Sequence, residues 1–165
     1  MKTLLLMRHA KSSWGNPAWR DFDRPLNGRG LKAAPLMGRY LHAQGLGPDL
    51  IVSSPAQRAQ QTAQLVKEAA PFAAPIHYEA GIYEASVKDL LNILFALEET
   101  AATVLLIGHN PGFAGLLAHL SGVHEHLPTA SIANLTLNAD TWPAVRGGCG
   151  QLAWLVRPRQ LTADE

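Results

Sequence analysis

Three short stretches place arginine or histidine directly after an apolar run: Arg8-His9, Ser53-Ser54-Pro55-Ala56-Gln57-Arg58 and Gly108-His109-Asn110. An arginine such as Arg8 offers a fixed fork of donors that matches two oxygens of a phosphate. A neutral imidazole at His9 could direct a ring lone pair at phosphorus and carry the phosphoryl group covalently. Guanidinium groups close by would favour that neutral form by disfavouring the imidazolium. Arg58 falls in the first turn of an expected helix, where its side chain and the free backbone N–H groups can both face an anion. A protonated His109 would add positive charge where the oxygens of a phosphoryl group in transfer need it.

Each of these features has an ordinary explanation when taken singly. An Arg-His pair can be a solvated strand end, Ser-Ser-Pro a good helix cap, and Gly-His-Asn-Pro-Gly a turn. Their joint occurrence, each where a strand should end, favours a common site. Ligands of open α/β sheets bind at the carboxyl ends of the strands.

The elements that must position these residues can be read along the chain. Leu4–Met7 reads as a buried strand, and His9 to Asn27 as a long loop carrying Trp14 and Trp19. Leu31, Ala34, Met37 and Leu41 recur at helical spacing between Gly28 and Gln44, with Pro35 as a distortion or a late start. Leu50–Val52 is a second strand, followed by a helix to about Ala70 in which Ser54 is the expected N-cap and Pro55 the first helical residue. Ile76–Tyr78 is a weaker strand. Ser86-Val87-Lys88-Asp89 has capping-box spacing, and Leu90, Leu91, Leu94 and Leu97 give the helix after it a core face. Thr103–Ile107 is apolar enough to be a central strand, with a helix running on to about Gly122. Late strands are expected at Ile132–Leu137 and Leu152–Val156. Alternation of strand and helix predicts an α/β fold, a three-layer sandwich whose central sheet is mainly parallel and flanked by helices.

Bulk properties narrow the function classes. A chain of 165 residues, 47% hydrophobic, suits one core and not two, so residues 1–158 are expected to form a single domain with 159–165 as a loose tail. A formal charge of +1 gives no reason to expect nucleic acid as a partner. The single Cys149 cannot form an internal disulfide and lacks neighbours for a metal site. With no signal-like leader and no apolar run of about 20 residues, a cytoplasmic location and no membrane partner are expected.

The stretches Leu6–Trp14, Asp23–Leu26, Ser53–Ala63, Tyr83–Ala85 and Ile107–Gly112 together resemble the histidine phosphatase superfamily, and within it the small SixA-like phosphohistidine phosphatases. The resemblance implies a phosphoglycerate mutase-like fold, no metal or other cofactor, His9 as the phosphorylated nucleophile, and Arg8, Arg58 and His109 as its partners in the phosphate pocket. Asn110, beside His109, is a further candidate phosphate-binding residue. Ala10 stands where the superfamily pattern has glycine, which bears on backbone geometry more than on chemistry. Glu84 matches the position of a general acid. Asp21 and Asp23 are rivals for that role, and Glu84 could equally be an exposed carboxylate favoured by a helix dipole.

Larger superfamily members roof the pocket with inserted helices before the histidine-bearing strand. Here one short helix fills that interval, which implies an open site without a large helical lid, suited to a phosphoryl group displayed on a protein. The expected function is a phosphatase acting through phosphohistidine, with phosphohistidine in a protein as its substrate. The alternatives are a phosphatase of small phosphate esters, a mutase-like transferase and a non-catalytic phosphohistidine-binding module.

Overall fold

The computed structural model describes residues 1–162. Six strands form one sheet: β1 (Lys2–Arg8), β2 (Leu50–Ser53), β3 (Ile76–Tyr78), β4 (Thr103–Gly108), β5 (Ile132–Leu137) and β6 (Gly150–Val156), in the order β3-β2-β4-β1-β5-β6. The first four in that order pair in parallel, and β5 runs antiparallel to both β1 and β6. The sheet is therefore mixed, with only β5 reversed.

Helices α1 (Gly28–Ala43) and α2 (Gln57–Ala69) cover one face, and α3 (Val87–Phe95) and α4 (Gly112–Ser121) the other. The period-2 alternation of a strand divides β1 between the two cores. Leu4 and Leu6 pack with Leu90, Leu94 and Phe113, whereas Leu5 and Met7 pack with Met37, Leu41 and Val66. All four positions are apolar because both faces of the sheet are covered.

Local expectations held or failed for identifiable reasons. The capping box at the start of α3 is formed in full: Ser86 N donates to Asp89 Oδ2 at 3.0 Å and Asp89 N to Ser86 Oγ at 3.1 Å. Pro35 lies inside α1, and packing sustains the helix around it: Ala34, Met37, Gly38 and Leu41 are buried. A Cβ on Gly38 would stand 2.6 Å from the Val66 carbonyl oxygen, so glycine is what lets α1 and α2 approach. Leu31, expected in that core, is 47% exposed. Ser54 and Pro55 are not the cap and first residue of α2, which starts at Gln57 after Ala56, because the Ser54 hydroxyl is used elsewhere.

The expected tail is also corrected. Pro158–Thr162 forms a short helix, α5, with Leu161 packed against the core under α1. Residues 163–165 of that tail lie outside the described residues. Among the described residues no helix is long and apolar enough to cross a membrane. Between β3 and β4 the chain makes one short 3-10 turn (Ala80–Ile82) and α3, with no large lid.

Candidate active site

The parallel strands β1, β2 and β4 end side by side, and the three expected stretches meet there. His9 N donates to the Gly108 carbonyl at 2.9 Å, and Ser54 N to the Ile107 carbonyl at 3.0 Å, which ties the three strand ends into one rim. Arg58 sits at the second residue of α2, as expected. His9, Arg58 and His109 are buried, and the two imidazole centroids lie 5.1 Å apart. Arg8, His9, Arg58, His109 and Asn110 all line one open cavity of about 190 Å³, together with Lys11, Ser12, Trp14, Arg24 and Thr129. No carboxylate lines it among the described residues.

Hydrogen bonding fixes the proton positions on both rings. His9 Nδ1 lies 2.7 Å from its neighbour's carbonyl, Ala10 O, an acceptor, so Nδ1 carries the proton. That leaves the lone pair on Nε2, toward which Arg58 Nε–H points at 3.4 Å. Arg58 Nη2 reaches His109 Nδ1 at 3.5 Å, and since guanidinium only donates, the proton of His109 is on Nε2, within 2.8 Å of Ser54 Oγ.

Both histidines are held neutral. Burial, followed by coupling to the His109 ring and the charges of Arg58 and Arg8, drives His9 down to about 3 against the opposing pull of its bond to Ala10. Burial and then Arg58 drive His109 down to about 4, with Asp21 pulling the other way. Arg8 is also lowered by burial and by Arg58; its Nη1 donates to the Leu127 carbonyl at 3.2 Å, and its Nε is buried without a partner among the described residues.

The carboxylates separate clearly. Asp21 is an anchor for arginines: its Oδ2 accepts from Arg58 Nη2 at 3.1 Å and from Tyr83 Oη at 2.6 Å, and its Oδ1 from Arg24 Nη2 at 3.0 Å. Its burial opposes ionisation, but the bonds from Tyr83, Arg58 and Arg24 outweigh that and hold it at about 2. A group so acidic carries no proton to give near neutrality. Asp23 pairs with Arg20 at 2.8 Å and lies outside the cavity. Glu84 is exposed, has φ 56°, and lines a neighbouring cavity of about 380 Å³ that shares Arg58, His109 and Asn110 with the first. Asn110 is largely committed to the backbone: Nδ2 donates to Leu127 O at 3.0 Å and Oδ1 accepts from Ala114 N at 3.2 Å.

Several supporting residues were not singled out in the sequence. Thr62 Oγ1 accepts from Ala10 N at 3.0 Å and donates to Arg58 O at 2.7 Å, joining the loop after β1 to α2. Its position four residues after Arg58 is the signal available beforehand. Arg24 is buried, donates to Ser12 Oγ at 2.9 Å, and lies 3.5 Å from the ring centroid of Trp14, itself 75% exposed. Ala10 is fully buried, so its methyl group is part of the core.

The fold, with two histidines and two arginines gathered at the ends of its parallel strands, is that of a class of phosphatases. Residues 4–101 match the model of the histidine phosphatase superfamily (branch 1), and the chain belongs to that superfamily. It is similar to an uncharacterized protein of Mycobacterium tuberculosis, 33% identical over 93% of this chain and the whole of that one. Its structure is similar to that of the protein histidine phosphatase SixA complexed with tungstate (26% identity, TM-score 0.84, covering 96% of this chain and 99% of that one). It is likewise similar to a SixA protein from Nakamurella multipartitia (29% identity, TM-score 0.82, covering 95% and 96%).

Proposed function

We propose that the chain is a cytoplasmic phosphohistidine phosphatase that removes the phosphoryl group from a histidine on a protein. The observation that carries this reading is the state of His9: its proton is committed to the Ala10 carbonyl, which leaves the Nε2 lone pair, 3.4 Å from Arg58 Nε, on a ring that lines the pocket. In the first step Nε2 attacks phosphorus in line, forming the N–P bond as the bond to the leaving group breaks. In the second, water attacks phospho-His9, and inorganic phosphate leaves with His9 neutral again.

Arg8, Arg58 and His109 hold the equatorial oxygens through both steps. A phosphoryl dianion against His109 favours the imidazolium that burial otherwise suppresses, and a proton taken up at Nδ1 is then donated to one of those oxygens. Asn110 contributes by holding the Leu127 loop against α4, with one N–H left for the anion. The low identity shared with SixA supports the substrate class less than the open cavity does: a pocket of about 190 Å³ with no helical roof admits a phosphoryl group borne on a macromolecule.

A phosphatase of small phosphate esters is the second reading, favoured by the 380 Å³ cavity beside the site, which could take a small leaving group. Comparing release of phosphate from a phosphohistidine protein with release from sugar phosphates separates the two. Acid-labile phosphate should be trapped on His9, and His9→Ala should abolish turnover; full activity in that variant would end the proposal. Arg58→Ala should lose on the order of 10²-fold or more in kcat, the usual loss when one transition-state donor is removed.

A further inference from the structure

The pocket continues into a second space. A groove of about 490 Å³ shares Lys11 and Thr129 with the His9 cavity and is lined further by Arg29, His126, Arg157 and Arg159. The pocket holds Arg8, Lys11, Arg24 and Arg58, and the groove adds Arg29, Arg157 and Arg159, so seven of the chain's 14 Lys and Arg residues line one continuous trough. Among the described residues no acidic side chain lines either space. Asp21, behind the pocket, pairs with Arg24 and Arg58, and Glu79 and Glu98 line a separate cavity, so the positive charge without an acidic partner among the described residues is concentrated at Lys11 and along the groove.

The trough is built by the fold. A Cβ on Gly30 would stand 2.2 Å from the Lys11 carbonyl oxygen, so glycine there lets the start of α1 close onto the loop after His9 and brings Arg29 beside Lys11. On the other wall, α5 packs back under α1 through Leu161 and sets Arg157 and Arg159 at the groove. Arg157 is partly neutralised by Glu125 at 3.5 Å, whereas Lys11, Arg29 and Arg159 are exposed and have no ion-pair partner among the described residues.

We infer that this groove binds an acidic polypeptide segment flanking the phosphorylated residue, so that the enzyme selects protein substrates by carboxylates beside the phosphohistidine. The inference rests on the phosphatase reading of the His9 pocket and adds a second contact to it. Cations spread over a loop, α1 and the β6–α5 junction suit several spaced carboxylates better than one compact anion. Because they are solvated, they act mainly through attraction before and during docking, which salt weakens.

Two phosphohistidine peptides, one with Asp and Glu flanking the phosphorylated residue and one with Ser and Gln, provide the test. At low salt the wild type should cleave the acidic peptide with about tenfold higher kcat/KM, mostly through KM, and the ratio should shrink as salt rises. Arg29→Glu with Arg159→Glu should bring the ratio to one or below. Lys88→Glu with Arg146→Glu, equal in charge change but remote from the groove, should leave it near ten. Equal kcat/KM for the two peptides in the wild type, or a ratio indifferent to the groove substitutions, would overturn the inference, and phosphoramidate hydrolysis in the same preparations would show whether the pocket itself still works. If no substrate is cleaved, binding of the unphosphorylated acidic peptide to His9→Ala decides the matter: loss of that binding in the groove variant supports the inference. Absence of binding, or tighter binding of a single-stranded oligonucleotide of equal charge, refutes it.

Discussion

Asp21 grips Arg58 twice, through its backbone carbonyl to Nη1 at 2.7 Å and through Oδ2 to Nη2 at 3.1 Å. Both bonds leave the Nε edge of the guanidinium turned toward His9. Asp21 is thus a positioning residue for Arg58. Asp21→Ala keeps the backbone bond but frees the fork to swing, and kcat should fall about tenfold, the scale of a modest misplacement of a catalytic group. Asp21→Asn keeps an acceptor and should lose less. If Asp21 were the proton donor instead, Asp21→Asn would be as damaging as Asp21→Ala, and measured kcat values for the two variants settle the point.

The two neutral histidines give the site a pH signature. His9, the proposed nucleophile, stays neutral until pH approaches about 3, so kcat/KM should show no acid limb near 6.5 from this group. Stability behaves in a linked way. Folded-state values below the ordinary 6.5 mean that the unfolded chain binds more protons between about pH 6.5 and 3, so stability is highest above that window and is lost as pH falls through it. Urea midpoints measured from pH 7 to 4 should decline in the wild type and less steeply in His9→Ala. A flat wild-type series would contradict the burial argument.

Gly108 couples the two histidines, since its carbonyl accepts from His9 N and it precedes His109. A Cβ there would stand 2.5 Å from Phe113 Cε1 and 2.7 Å from Ile82 Cγ2, both in buried residues. Gly108→Ala should therefore destabilise the protein by roughly 1–3 kcal/mol, the usual range for overpacking. It should also lower kcat by displacing His109, and paired thermal and kinetic measurements should show both losses together.

How much of this was legible beforehand depended on the range of the interaction concerned. Strand ends, the α3 capping box and the meeting of Arg8, His9, Arg58 and His109 follow from local pattern and from the rule that parallel strands end at the site. The Asp21–Arg58 pair joins residues 37 positions apart through a loop of irregular backbone, and no periodicity announces such a contact. Leu31 and Ser54 misled for the same reason: helical spacing includes positions at the margin of the apolar face, and a serine beside a helix start can be claimed by a histidine from another strand. The reversal of β5 was likewise invisible, because the side chains that let a strand be buried on both faces are the same whichever way it runs.

Glu84 provides the sharpest test of substrate class. It lines the cavity beside the His9 pocket, and its φ of 56° places a non-glycine residue in the left-handed region, a sterically costly backbone conformation at the cavity wall. An alkoxide leaving group needs a proton as its bond to phosphorus breaks, whereas a leaving imidazole can bring one on its own ring. Glu84→Gln should therefore slow hydrolysis of an alkyl phosphate by about 10²-fold, the lower range for general acid catalysis, while changing phosphohistidine hydrolysis by less than about threefold. An equal loss on both substrates would assign Glu84 to binding or structure, and no loss on either would remove it from the reaction.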